Sequence, residues 1–227
     1  HRPGTRLAGV ETFADHVIVH GRTDGLTAIW LLDPATGATT PFATDEPVGT
    51  ISPGANPTFA TTTYRFGYQS LTTPPSVLEQ DLATGERRLL KQLPVLGDFD
   101  AARYESAREW ATADDGTQIP ISLVWRPDAQ PAEGPAPCRL YGYGAYEASM
   151  DPWFSVARLS LLDRGVVFAI AHVRGALPDA DAEAAERIRT GYPIPLVDLR
   201  TVDGDMLDVD RDGKATGEIV VRTPWLT

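Results

Sequence analysis

Residues 138–175, CRLYGYGAYEASMDPWFSVARLSLLDRGVVFAIAHVRG, decide how the rest of the chain is organised. The apolar and aromatic run CRLYGY predicts a strand that ends at glycines. Asp151 followed by Pro152 is typical of a helix N-cap and first turn, so we expect a helix over about 153–163, closed by Gly165 as the C′ residue. VVFAIAHV lacks polar alternation, which is typical of a parallel strand covered on both faces. The stretch therefore predicts a right-handed β–α–β unit.

An internal repeat lies in the first hundred residues, which alternate short strand-like runs with turn signals. The pattern D-x-A-T-G begins at Asp33 and again at Asp81, 48 positions later, and apolar runs flank both copies. Hairpins that recur at this spacing are typical of four-stranded propeller blades. The alternative is two unrelated hairpins of a β-sandwich.

Two further strands are predicted ahead of the β–α–β unit. In YESAREWATADDGTQIPISLVW, Asp115-Gly116 is a strong signal for a two-residue hairpin turn. The proline- and alanine-rich run PDAQPAEGPAP that follows predicts a surface loop. Antiparallel strands followed by a β–α–β unit are typical of the start of an α/β-hydrolase sheet.

Eight short motifs resemble the prolyl oligopeptidase family, most closely its oligopeptidase B branch, in the same order along residues 1–176. They are HRPGTRLAGV, DGLT, DEPV, NPTF, SLTTPPSV, LATGERRLLKQLPVLGDFD, YESAREWATADDGTQIPISLV and LYGYGAY, and FAIAHVRG extends the match. The resemblance implies a partial β-propeller of about two blades over 1–100 and the N-terminal part of an α/β-hydrolase catalytic domain over 101–176. A helical linker over 177–190 and a β-hairpin-like tail over 191–227 complete the expected fold.

The resemblance also implies a serine-type oligopeptidase that cleaves short peptides after Arg or Lys. Such an enzyme needs a G-x-S-x-G nucleophile elbow, and none of the serines here has the flanking glycines. In the family the serine, aspartate and histidine of the triad come later than any residue matched here. We therefore expect a chain that is truncated before its triad and inactive by itself.

One catalytic element is implied to survive, at Tyr143. In the LYGYGAY motif the family uses this tyrosine to donate its phenolic hydrogen to the developing oxyanion. A phenol suits the task because it is a neutral, directed donor, and Gly142 and Gly144 would let the loop approach a substrate. The alternative is that Tyr141, Tyr143 and Tyr146 are packing aromatics at a strand end, which the residues alone favour.

His172 and Cys138 are interpreted as structural residues. His172 follows an apolar strand with no serine or second ligand in sequence reach, so we expect a hydrogen-bonded residue at the strand's carboxyl end. Cys138 lies inside a predicted strand and is expected to be a small buried hydrophobe in a reducing compartment.

The tail resembles a different family. Residues 188–227 nearly reproduce the G-x-P-x-P and G-x-G-E-I-x-V-R patterns of adenylate-forming acyl-CoA ligases, without their phosphate loop or catalytic lysine. Asp208, Asp210 and Asp212 occupy positions one, three and five of an EF-hand calcium loop. They are only a weak calcium look-alike, because the twelfth position, which should be a glutamate, is Ile219. The tail leaves two alternatives open: a fusion or propeller-type interaction module without enzymatic activity, and a fragment of an acyl-CoA ligase.

Composition sets the remaining expectations. A formal net charge of −11 argues against nucleic-acid binding and is compatible with basic peptides. No apolar run is long enough to span a membrane, so we expect a cytoplasmic protein without membrane partners, and we expect no cofactor and no metal. Too few elements follow VVFAIAHV to cover it, so an exposed edge on this strand and self-association through it are expected.

Overall fold

Two four-stranded antiparallel sheets form the first part of the chain. The structure is a computed structural model, which describes residues 5–144 and 149–173 together with the backbone of 198–202 and 218–222. The first sheet runs in sequence order through β1 (Thr5–Thr12), β2 (Val17–Thr23), β3 (Leu26–Leu32) and β4 (Thr39–Pro41). The second runs in the same way through β5 (Gly49–Pro53), β6 (Thr63–Ser70), β7 (Ser76–Asp81) and β8 (Arg87–Gln92). These meanders confirm the prediction of two propeller blades. In the part of the chain that the structure describes, neither sheet closes on itself.

The two D-x-A-T-G turns lie at the same place in the two blades, between the third and fourth strands. The Asp33 carboxylate accepts from the Ala35 amide at 2.9 Å and from the Thr36 hydroxyl at 2.6 Å. Asp81 likewise accepts from Ala83 at 3.0 Å and from Thr84 at 2.8 Å. The sequence repeat therefore reflects a repeated turn geometry, in which an aspartate side chain replaces missing backbone partners.

An aromatic core joins the two blades. Tyr64 and Phe66 of β6 are fully buried, and Phe42 packs edge-on against both, with ring centroids 5.8 and 5.5 Å apart. The remaining members are apolar side chains from both sheets: Phe13, Ile18, Ile29, Ile51 and Leu82. Each such buried side chain stabilises the fold by roughly 1.5–3 kcal/mol, so the blades stabilise each other.

A mixed sheet follows the blades, in the order β11-β12-β10-β9. Its strands are β9 (Glu105–Thr112), β10 (Gln118–Trp125), β11 (Cys138–Gly142) and β12 (Val167–Ala171). β11 and β12 are parallel and the other pairs are antiparallel, which confirms the predicted start of an α/β-hydrolase sheet. The expected exposed edge is on the wrong strand, however. β12 has neighbours on both sides, and the edges of the sheet are β11 and β9, each with one neighbour among the described strands.

The helix of the β–α–β unit is shorter than predicted. The N-cap of α1 (Val156–Leu162) is Ser155 rather than Asp151, and Gly165 follows the helix at φ +80°, as expected for a C′ glycine. The helix does not start earlier because residues 151–154 are non-helical and form hydrogen bonds with the blades. Thr50 Oγ1 donates to the Pro152 carbonyl at 3.1 Å, and the Phe154 amide donates to Gln69 at 3.2 Å.

Two smaller predictions are also wrong. The β9–β10 hairpin closes with Ala113 and Thr117 hydrogen-bonded at 2.9 Å, so its loop includes Asp114 and is longer than the two residues predicted. Cys138 is exposed rather than buried, because it lies on β11, where every residue is exposed. The apolar and aromatic run CRLYGY predicted the strand, but it could not show that the strand lies at the sheet's edge.

The tail contains β13 (Asp198–Val202) and β14 (Glu218–Arg222), which pair antiparallel and confirm the hairpin-like tail. The chain divides into two compact units, His1–Glu186 and Arg187–Thr227. The predicted helix over 177–190 and the calcium look-alike at Asp208, Asp210 and Asp212 lie outside the described residues. Within the described ranges, no helix has the length and apolarity that crossing a bilayer would require.

Candidate functional site

Tyr143 lies immediately beyond the carboxyl end of β11. The strand pairs in parallel with β12 up to Gly142, which faces Ala171, so the backbone position of this strand end is set by a buried neighbour. The Tyr143 side chain is 43% exposed. Catalytic and ligand-binding groups of open α/β sheets gather at the carboxyl ends of their strands. A phenolic hydroxyl at this point can donate a hydrogen bond to an oxyanion without carrying a charge itself.

Tyr141, two residues earlier, anchors the same strand end to the segment before α1. Its ring packs edge-on against Trp153 with centroids 6.0 Å apart, and its hydroxyl donates to Met150 Sδ at 3.3 Å. Tyr141 is thus a packing aromatic, as the residue-based alternative held. Tyr146 lies outside the described residues.

A buried arginine continues this packing. Arg158 of α1 is 5% exposed, and its guanidinium lies 5.2 Å from the Trp153 ring and 4.3 Å from the Phe168 ring. It donates to the Trp153 carbonyl at 2.7 Å, and its buried Nε has no partner among the described residues. Burial lowers the pKa of Arg158 to about 10, so the group stays charged at neutral pH between two aromatic faces.

The segment that leads back from Tyr143 to α1 is held by the first blade. Arg22 on β2 donates through Nη2 to the Asp151 carboxylate at 2.5 Å, to Ser149 Oγ at 2.7 Å and to the carbonyl of Gly25 at 2.8 Å. One blade side chain therefore joins the β2–β3 turn to the segment that ends the tyrosine loop.

A serine–histidine pair lies under the same turn. Ser122 Oγ on β10 is 2.7 Å from His172 Nε2, just after β12, and the two residues are 0% and 1% exposed. Burial, then Arg108, then Arg22 lower the pKa of His172 to about 4. Because its Nδ1 has no partner among the described residues, no acidic group orients the ring as in a catalytic triad. A buried pair with so weak a base cannot attack a substrate, and its role is structural.

His172 is hydrogen-bonded at the strand's carboxyl end, as expected from the sequence. The expectation of no serine partner for His172 is wrong. Ser122 is 50 positions away in the sequence, but its strand, β10, pairs with β12 and brings the two side chains together. One signal could have found it. Along β10, Ser122 is in phase with the buried Pro120 and Val124, so a polar side chain falls on a core position and needs a partner.

Comparisons with known proteins agree with this fold. The family model described as "Prolyl oligopeptidase, N-terminal beta-propeller domain" matches residues 1–93. The dipeptidyl aminopeptidase BI of Pseudoxanthomonas mexicana is 44% identical over 176 residues, 77% of this chain and 24% of the relative. Protease 2 of Moraxella lacunata is 37% identical over 163 residues, 72% of this chain and 23% of the relative.

Comparison with a solved structure agrees with these sequence matches. Oligopeptidase B from Leishmania major superposes with a TM-score of 0.66 at 36% identity, covering 77% of this chain and 26% of that protein. The chain spans about a quarter of the length of the relatives it matches. The blades, the mixed sheet and the comparisons together show that about three-quarters of this chain is similar to a segment of the prolyl oligopeptidase family, of the kind found in oligopeptidase B.

Proposed function

We propose that this segment supplies the oxyanion-binding strand end of a serine oligopeptidase, with Tyr143 as the donor. The observation that carries the proposal is the position of this exposed tyrosine directly after a parallel strand whose neighbour is buried. Tyr141 and Arg22 support it, since they hold the two ends of the loop around Tyr143. A donor fixed before the reaction begins stabilises a developing oxyanion without reorganisation cost.

The proposed substrates are short peptides cleaved after Arg or Lys, in the cytoplasm. The relationship to oligopeptidase B supports this specificity, and the net charge of −11 favours the approach of basic peptides. Nucleophile, acid and base are not proposed among these residues, because the sequence has no G-x-S-x-G elbow and the Ser122–His172 pair is buried. The purified chain should therefore not hydrolyse an arginyl amide.

A chimera tests the role of Tyr143. Residues 5–173 replace the matching segment of the Leishmania oligopeptidase B, and hydrolysis of an arginyl amide is followed. Tyr143→Phe should lower kcat by roughly 10²–10³, the usual effect of removing one oxyanion donor. The matched control, Tyr141→Phe, removes a hydroxyl that donates to Met150 and should leave kcat within a few-fold of the unsubstituted chimera. Equal kcat values for the two variants would exclude Tyr143 as the donor.

A second candidate function comes from the name of the Pseudoxanthomonas relative, which is 44% identical. A dipeptidyl aminopeptidase releases dipeptides from free amino termini. The same chimera, compared with the unsubstituted Leishmania enzyme, distinguishes the two activities. Faster cleavage of an unblocked dipeptidyl amide than of its amino-blocked counterpart would favour dipeptide release, and the reverse order would favour endopeptidase action.

A further inference from the structure

A cluster of charged and polar side chains joins the first blade to the mixed sheet. We call it the junction cluster, and it consists of Arg22, Asp24, Arg108, Ser122, Asp151 and His172. Arg108 of β9 donates to the backbone carbonyl of Asp24, in the β2–β3 turn, and lies 3.4 Å from Ser122 Oγ. The turn covers His172 closely, since a Cβ built on Gly25 would lie 3.5 Å from His172 Cβ. The histidine is therefore sealed from water by a piece of the blade.

A further positive charge in the junction cluster would be unfavourable, because His172 already faces two arginines. His172 faces Arg108 from β9 and Arg22 from β2, and both guanidinium groups lower its pKa. The carboxylate of Asp151 is already paired with Arg22 at 2.5 Å, and Asp24 acts on Arg108. Ser122, the hydrogen-bond partner on β10, is uncharged. No carboxylate of the described residues acts on the pKa of His172, so none offsets the charge of an imidazolium there.

We propose that His172 is an acid-sensitive switch at this junction, whose protonation releases the β2–β3 turn and separates the blades from the mixed sheet. Protonation would bury an unpaired cation with an N–H on both ring nitrogens, although Nδ1 has no hydrogen-bond partner among the described residues. Moving the turn lets the imidazolium reach water. The sheets themselves keep their hydrogen bonds, because the turn is joined to the mixed sheet by the Arg108 side chain, which donates to the Asp24 carbonyl, and the described strands of the blade and of the mixed sheet do not pair with each other.

The size of the effect follows from linkage. If His172 titrates near its ordinary 6.5 when the junction is open and near 4 when it is closed, lowering the pH from 7.5 to 5 raises the opening equilibrium by about 30-fold. Opening should gain one proton per event, beginning as the pH falls below about 6.5.

Thiol labelling of the full chain measures this opening. In a Cys138→Ser background, Val48→Cys places a thiol on a fully buried blade residue that packs against the core of the mixed sheet. Ile51→Cys is the matched control, because Ile51 is buried in the core between the two blades. Labelling with 4,4′-dithiodipyridine is measured from about pH 7.5 to 4.5, and each rate is divided by that of the urea-unfolded variant at the same pH.

We expect the normalised rate at position 48 to rise about 30-fold at pH 5, while that at position 51 stays unchanged. His172→Gln, which keeps a polar group near the Nε2 position, should abolish the rise, and His20→Gln should not. The proposal is overturned if position 48 does not respond, if position 51 responds equally, or if His172→Gln leaves the rise intact. Should His172→Gln fail to fold, the pH profile at position 48 decides: a rise that begins only below about pH 5, rather than near 6.5, would indicate carboxylates and refute the switch.

Discussion

Arg22 and Asp151 form an ion pair with an N–O distance of 2.5 Å across 129 positions of sequence. The pair joins the first blade to the segment before α1, and both side chains are less than one-third exposed. Its contribution to stability therefore exceeds that of an ordinary surface pair.

Asp151→Asn should lower the free energy of unfolding by about 1–3 kcal/mol, because it leaves a partly buried guanidinium without its counter-charge. Urea unfolding followed by tryptophan fluorescence measures the change. Arg88→Ala serves as the control, since Arg88 pairs with Glu79 while remaining 73% exposed, and a much smaller change is expected. Equal effects of the two substitutions would show that the Arg22–Asp151 pair is no stronger than a surface one.

Gly165→Ala should be more destabilising than Gly85→Ala. Both glycines have positive φ, +80° and +76°, so an alanine is strained by about 1–2 kcal/mol at either position. At Gly165 the new Cβ would also lie 2.4 Å from the carbonyl oxygen of Ala129, whereas nothing lies within 4 Å at Gly85. The difference between the two melting temperatures measures this backbone clash, and similar values would mean that the 127–129 turn moves aside freely.

Arg158→Ala and Arg158→Met should separate the packing of this side chain from its charge. Truncation to alanine leaves a cavity between Trp153 and Phe168 and should cost roughly 2–4 kcal/mol. Methionine fills most of that space without a buried cation, so a loss below about 1 kcal/mol is expected. If chemical denaturation gives the same loss for both, the charge itself stabilises the fold.

Leu140→Lys should weaken self-association. Leu140 is 66% exposed on β11, whose outer edge has no neighbour among the described strands, and such an edge can pair with a second chain. Sedimentation velocity over a range of concentrations measures the association. Leu96→Lys is a suitable control, because Leu96 is 91% exposed but lies outside the strands. An unchanged sedimentation profile for Leu140→Lys would exclude the β11 edge as the contact.

The elements with local signals were predictable from the sequence. The aspartate of each D-x-A-T-G turn binds amides two or three residues ahead of it, so the repeat indicated two similar hairpins, and the family resemblance favoured propeller blades over a β-sandwich. The β–α–β unit was likewise visible in its apolar runs and in Gly165. Each of these features depends on residues close together in the chain.

Features that depend on contacts between residues far apart in the chain could not be predicted from the sequence. Asp151 has the local properties of an N-cap, but its carboxylate accepts a hydrogen bond from Arg22, and the N-cap of the helix is Ser155, four residues later. Cys138 has the neighbours of a buried strand residue, yet β11 lies at the sheet's edge. Tyr143 was identified through a family motif, and its proposed role in catalysis stays a prediction.

The strand order of the mixed sheet has a consequence for synthesis of the chain on the ribosome. Because β12 lies between β10 and β11, residues 138–142 emerge before the strand with which they pair. The strands of each blade can pair in the order in which they are synthesised. The mixed sheet cannot form until Val167–Ala171 has been synthesised and has inserted between β10 and β11. Such non-local pairing is slow. Until β12 is in place, the unpaired edges of β10 and β11 are exposed, and exposed strand edges of a nascent chain are sites of aggregation or of chaperone binding.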